Sequence, residues 1–372
     1  MMRSAALGVY LACFSCALGL VAPATVFTFG DSIFDGGNNH FNNKCTAQAD
    51  FPPYGSSYFH YPTGRFTNGR TVVDFICQFM GMGLQLPFLE AQSAVLNGSW
   101  KSYPSNGLNF ASAGSGVLAA TNQDLGVTAI EEQLQQFEAL IQEKQFQTPE
   151  IRQSIFLLES GSNDIFNYFL PFAPPSQLDP DAMVRSMLAQ VSSFISRIYG
   201  VGGRRIAVFS LGPVGCVPAR ALLPAAPLDK CYDQMNSMVR IYNSGLEDLV
   251  KAVPANYPGA VAVFGDVFHL VERFRADPPR YGFKDVSNAC CGEGRLGGMV
   301  QCGKEGYKEC GNPRDYLFWD YFHPSEHTYS RISKALWAGR NSTIRPFNLH
   351  TLFSTSNQTQ PKPKPKPNSN NN

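Results

Sequence analysis

The sequence predicts an α/β protein with a mainly parallel central sheet and helices on both faces. Three observations carry this. Four short, nearly continuous apolar runs stand out: ATVFTF at 24–29, SIFLLE at 154–159, RIAVFSL at 205–211 and AVAVF at 260–264, with a weaker fifth, GLNFA, at 107–111. Strands covered on both faces read in this way. Amphipathic helical stretches separate the runs, and strands alternating with helices build βαβ units. The 372 residues, 44% of them hydrophobic, supply enough apolar side chain for one large core.

The helices follow from spacing. In 128–141, Ile130, Leu134, Phe137 and Ile141 fall on one face, and Thr128 with Glu131 has the pattern of a capping box. In 181–199, Val184, Met187, Leu188, Val191, Ile195 and Ile198 recur at helical spacing behind an Asp179-Pro180 start. In 230–253, Met235, Met238, Val239, Tyr242, Leu246, Leu249 and Val253 do the same, and a last helix is expected over 325–338. The Pro-rich stretches at 171–180 and 224–228 read as surface loops. No internal repeat or interdomain linker is visible, so one domain over 25–350 is expected.

The two ends are different. Residues 1–24 carry one Arg, an apolar stretch and Ala22-Pro23-Ala24, as a secretory signal does. The apolar stretch is near the lower limit for a membrane anchor and runs straight into the first strand. The tail at 351–372, largely Pro, Lys and Asn, has no apolar face and is expected to be disordered. Past the signal the chain keeps eight cysteines: Cys45, Cys77, Cys216, Cys231, Cys290, Cys291, Cys302 and Cys310. An even number in a secreted chain favours disulfides over a zinc site, because Cys290-Cys291 is poor zinc spacing and no C-x-x-C pair exists. Asn97, Asn341 and Asn357 head glycosylation sequons. The formal charge of +1 gives no reason to expect nucleic acid or an anionic membrane surface as partner.

In open α/β sheets ligands sit at the carboxyl ends of the strands. There the sequence places Gly30-Asp31-Ser32, then Ser112-Ala113-Gly114-Ser115-Gly116, Ser160-Gly161-Ser162-Asn163-Asp164, and Gly212-Pro213-Val214-Gly215-Cys216. Freed backbone N–H groups and an Asn amide suit an oxyanion. A nucleophilic serine also needs a base. Of six histidines, His323 stands three residues after Asp320 in FWDYFHPSEH, a spacing that brings a carboxylate to an imidazole. Pro324 then stiffens the backbone and is a candidate to begin the next helix.

On these motifs the chain resembles the plant-type secreted GDSL esterase/lipases of the SGNH hydrolases. The likeness runs from Phe29 to about Trp337. FGDSIFDGGNN resembles the first block, which implies Ser32 as nucleophile. NFASAGSG and GSND resemble the second and third blocks, which implies oxyanion donors at Gly114 and Asn163 beside the Ser32 N–H. DYFHP resembles the last block, which implies Asp320 and His323 as its acid and base. GRFTNGR at 64–70, GPVGCVP at 212–218 and CCGEGRLGGMVQC at 290–302 also look like this family. The resemblance implies a three-layer α/β/α sandwich of flavodoxin-like build. It also implies a Ser-His-Asp acyl-enzyme that hydrolyses carboxylic esters with no cofactor or metal, in a monomer that is extracellular or in the cell wall and not stably inserted in a membrane. Acyl lipids, cutin-like polyesters and acetylated polysaccharides are all substrates that it admits. An acyltransferase with the same acyl-enzyme, or a non-catalytic binding protein on the same fold, are the alternatives.

Rival signals are weaker. The G-x-G-x-x-G match at Gly292, Gly294 and Gly297 has neither a preceding strand nor a following helix pattern. His327 lacks an Asp three residues before it and reads as surface or supporting. Asp31 and Asp164 read as caps or loop braces. Tyr54, Tyr58, Phe59 and Tyr61 are equally suited to lining a cleft and to ordinary loop packing.

Overall fold

A computed structural model describes residues 25–171 and 179–354. Its strands are β1 (Val26–Gly30), β2 (Leu86–Pro87), β3 (Gly107–Asn109), β4 (Ile155–Glu159), β5 (Arg205–Phe209), β6 (Val261–Gly265), β7 (Asp285–Ala289), β8 (Cys291–Gly292), β9 (Lys308–Glu309), β10 (Tyr316–Phe318) and β11 (Ile344–Arg345). The helices are α1 (Val72–Phe79), α2 (Phe88–Leu96), α3 (Ile130–Gln142), α4 (Thr148–Gln153), α5 (Ser162–Tyr168), α6 (Pro180–Gly200), α7 (Asp233–Asn256), α8 (Val267–Ala276), α9 (Pro278–Tyr281), α10 (Glu326–Ala338) and α11 (Leu349–Ser354).

Seven strands form the main sheet in the order β11-β6-β5-β4-β1-β3-β2. Every pairing in it is parallel except β11 on β6. The period of two then sorts the side chains. Phe27, Phe29, Phe156, Leu158, Ile206 and Val208 pack toward α3, α6 and α7. Val26, Ile155, Leu157, Ala207, Phe209 and Val263 pack toward α1, α8, α10 and α11. Both faces are covered, so the central strands are apolar over most of their length, and the expected three-layer sandwich is the observed one. Phe27 stacks on Phe156 and Phe29 on Phe110, while Phe137 meets Phe156 edge-on.

The chain leaves β1 for β2 and β3 on one side of it and then crosses to β4 on the other. β1 is therefore the point where the winding reverses, and its carboxyl end opens a crevice. Ser32 follows that end directly.

Four expectations need correction or refinement. The Thr128–Glu131 capping box is absent: α3 starts at Ile130 behind Ala129, with no side-chain cap. Thr128 is held elsewhere, its N–H donating to Ser112 Oγ and its carbonyl accepting from Gln133 Nε2. Pro324 does not start α10; Ser325 caps it, its Oγ accepting from Thr328 N. The cysteines form Cys216–Cys231, Cys290–Cys310 and Cys291–Cys302, while Cys45 and Cys77 are buried and free. α11 continues to Ser354, with Leu349 and Leu352 buried, four residues past the expected edge at 350.

The 224–228 stretch is a surface loop as expected. Asn97 and Asn341 are exposed. The signal segment 1–24, Asn357 and most of the 171–180 stretch lie outside the described residues, as does all of the tail but its first four residues. Among the described residues no helix is long and apolar enough to cross a membrane.

Candidate active site

Ser32 sits in the turn that ends β1. Asp31 closes this turn: its carbonyl accepts from Phe34 N and Asp35 N, and its Oδ1 accepts from Ile33 N at 3.0 Å. Gly30 is clamped from below by Gln133, whose Oε1 accepts from Gly30 N and whose Nε2 donates to Gly30 O. A Cβ at Gly30 would fall 2.3 Å from Glu159 O, so glycine lets β1 and β4 close up under the serine.

The Asp35-Gly-Gly-Asn-Asn run ties this turn to the second one. Asp35 Oδ1 accepts from Gly37 N and Asn38 N, and Oδ2 from Ala113 N. Asn38 Nδ2 donates to the carbonyls of Asn109 and Ala111, and Asn39 Nδ2 to those of Ala47 and Ala113. Burial pushes the Asp35 carboxyl up to about 6 against these donors. Gly114 stands at the end of this braced segment with φ +84°, a conformation that suits glycine.

Asn163 lies at the start of α5. Its Nδ2 donates to Ser115 O at 2.9 Å, which fixes the amide. Asp164 beside it accepts from Val117 N, Leu118 N and Thr121 Oγ1, so this buried carboxyl is the loop brace that the sequence suggested. His327 stands apart from these groups, its Nε2 on Tyr281 O at 3.0 Å.

His323 and Asp320 share a tight loop after β10. His323 Nδ1 lies 2.7 Å from Asp320 Oδ1 and 2.9 Å from Oδ2. Asp320 Oδ1 also accepts the N–H of Phe322 and of His323. With a proton on Nδ1 donated to the carboxylate, Nε2 is left as the basic nitrogen. The imidazole packs against Phe66 at 4.9 Å between ring centres.

The aromatic loop takes a different part from cleft lining. Tyr54 is buried and its hydroxyl donates to Asp320 Oδ2 at 2.6 Å. Tyr58 lies under Arg70, and Tyr61 is exposed. None of the four aromatics lines the cavity described next. Tyr54→Phe deletes one hydrogen bond to a carboxylate without touching that cavity. We expect kcat to fall about tenfold with KM unchanged, as a steady-state comparison will show.

Ser32, Gly114, Asn163 and His323 all line one cavity of about 360 Å³. Asp320 stands fully buried behind His323. Much of the remaining lining is apolar, including Phe166, Leu170, Phe209, Val271, Leu317 and Ile332. Sequence reasoning missed Gln133, and it singled out Tyr54 without finding its contact with Asp320. For Gln133 the signal was present, a polar residue on the buried face of an amphipathic helix. For Tyr54, 266 positions from its partner, there was none.

A parallel α/β/α sheet that delivers small polar residues and a carboxylate-bound imidazole to one apolar cavity has the build of a carboxylic ester hydrolase. The model of the GDSL-like lipase/acylhydrolase family matches residues 26–336, and the chain belongs to that family. It is 60% identical to GDSL esterase/lipase 6 of Arabidopsis thaliana over 347 residues, covering 91% of this chain and 95% of that protein. It is 35% identical to GDSL esterase/lipase 7 of the same plant, over 89% and 92% of the two chains. Among solved structures, an acetylxylan esterase from Geobacillus stearothermophilus aligns over 84% of this chain and 94% of that one, at 13% identity and a TM-score of 0.38.

Proposed function

We propose that this ester hydrolase works through an acyl-enzyme on Ser32, outside the cell. His323 takes the Ser32 proton at Nε2 as the hydroxyl attacks the ester carbonyl. It then returns the proton to the leaving alcohol. Asp320 holds the imidazole in the required tautomer and stabilises the imidazolium. The N–H groups of Ser32 and Gly114 and the Asn163 amide receive the developing oxyanion. His323 next activates water, which releases the acid and frees Ser32. The observation that carries this reading is the convergence of Ser32, Gly114, Asn163 and His323 on one cavity, with Asp320 on His323 Nδ1. Secretion is supported by the leader-like residues 1–24 and by three disulfides.

The apolar lining favours a hydrocarbon acyl group. Each methylene buried there adds about 0.8 kcal/mol. A p-nitrophenyl ester series is expected to gain about fourfold in kcat/KM per methylene until the cavity is full, and a flat series contradicts the acyl assignment. In the same assay Asn163→Ala is expected to lower kcat by about 10²–10³ with little change in KM. A variant that keeps its rate removes Asn163 from the oxyanion site.

A further inference from the structure

One pair of buried groups has no part in the mechanism above. Asp31 precedes the nucleophile, and Glu159 ends the neighbouring strand in register with Gly30. Both are almost fully buried and both line the Ser32–His323 cavity. Gly30 pairs with Glu159 across β1 and β4, so the Asp31 side chain follows directly on the strand position that faces Glu159. Asp31 Oδ2 and Glu159 Oε2 are both buried, and neither accepts a hydrogen bond from any donor among the described residues.

The titratable groups facing the pair come from every neighbouring element. They are His323 in the loop after β10, Asp164 on α5, Tyr242 on α7 and Tyr329 on α10, with Asp320 beyond Tyr329. Among the described residues neither carboxyl forms an ion pair with a lysine or arginine. Two ionised carboxylates cannot donate to each other, and without a cation they cannot both stay charged in a dry site.

We propose that Asp31 and Glu159 share a single proton, and that the one negative charge they retain faces His323 and sets where activity is lost at low pH. They are positioning residues that act on the imidazolium through space and never touch the ester. Burial pushes Asp31 up to about 6 and Glu159 well above its usual range. The pair titrates as a unit and carries one charge at neutral pH. That charge shares the cavity with His323, so its removal is expected to move the acid limb of kcat/KM to lower pH. The link to the pH profile rests on the proposed role of His323; the shared proton itself does not.

Two measurements on the full-length secreted protein test this. In Glu159→Gln the amide donates in place of the shared proton and Asp31 keeps its charge. In Asp31→Asn/Glu159→Gln both charges are gone, while the amide oxygen introduced at position 31 still accepts from Ile33 N. With a p-nitrophenyl ester, the acid limb is expected to stay in place in the single variant and to drop by about half a unit or more in the double. A purely structural role predicts no such split. An unmoved limb in the double variant, or an equal shift in both, overturns the proposal. Infrared spectra at pH 8 give a readout independent of activity and of the double variant's folding. A protonated-carboxyl carbonyl band is expected in the wild type and absent from Glu159→Gln. Its absence from the wild type overturns the proposal. A wild type that shows the band but turns over no ester sinks the proposed function and leaves the shared proton standing.

Discussion

His323→Ala is expected to lower kcat by about 10⁴–10⁶-fold while the protein stays folded. Among the described residues, His323 is the only histidine whose Nδ1 is bound to a carboxylate in the Ser32 cavity. His40 and His269 also meet aspartates, but neither lines that cavity. On the proposed mechanism Ser32 then loses the base that takes its proton, leaving only the oxyanion donors and substrate binding. Asp320→Asn separates the two parts of the base. An amide facing Nδ1 offers an N–H where the carboxylate accepted one, so it favours the tautomer with the proton on Nε2. The expected loss is about 10⁴-fold. Active-site titration followed by steady-state kinetics on each variant distinguishes slow turnover from lost protein.

Arg65→Ala is expected to reduce the free energy of unfolding by about 3–5 kcal/mol. Arg65 meets Asp74 in two hydrogen bonds, Nε to Oδ2 at 2.8 Å and Nη2 to Oδ1 at 2.9 Å, and both side chains are buried. Asp74 also accepts from Thr71 N and completes the capping box of α1. Truncating Arg65 leaves a buried carboxylate with no cation. Urea unfolding will show the loss as a lower midpoint at unchanged slope. Arg65→Lys restores only part of it, since an ammonium cannot make the two-pronged contact. Replacing both partners with leucine is expected to cost less than Arg65→Ala alone, because no charge is then stranded. The loss also reaches the site. Phe66 packs on His323, Thr67 Oγ1 donates to Pro324 O at 3.1 Å, Asn68 Oδ1 accepts from Glu326 N at 2.8 Å, and Arg70 Nε donates to Glu326 Oε1 at 2.7 Å. The segment at 64–70 thus clamps the loop that carries His323.

What the sequence revealed and what it hid divide along physical lines. The five central strands announced themselves because burial on both faces leaves an unbroken apolar run. The helices α3, α6, α7 and α10 did so because one buried face imposes a helical period. Ser32 and Asn163 were visible as polar residues at strand ends, and the Asp320–His323 pairing as a spacing of three. The edge strands β2 and β11 were not visible, since two residues each carry no period. Contacts between distant residues were hidden for a different reason. Tyr54 on Asp320 and Glu159 beside Asp31 depend on how the layers are stacked, which no local pattern encodes; for Gln133 the helical period marks a buried polar residue but not its partner, Gly30. The cysteine count favoured disulfides but could not reveal the partners, nor that Cys45 and Cys77 stay apart.

Fluorophosphonate labelling of the wild type and of Ser32→Ala, with the modified peptide located by mass spectrometry, tests the proposed nucleophile most directly. One phosphonyl group is expected on Ser32 in the wild type, with ester turnover lost in proportion to labelling. The folded variant is expected to take up no label and to show no turnover. Turnover retained by Ser32→Ala, or stoichiometric labelling of a different residue, would contradict the Ser32 acyl-enzyme.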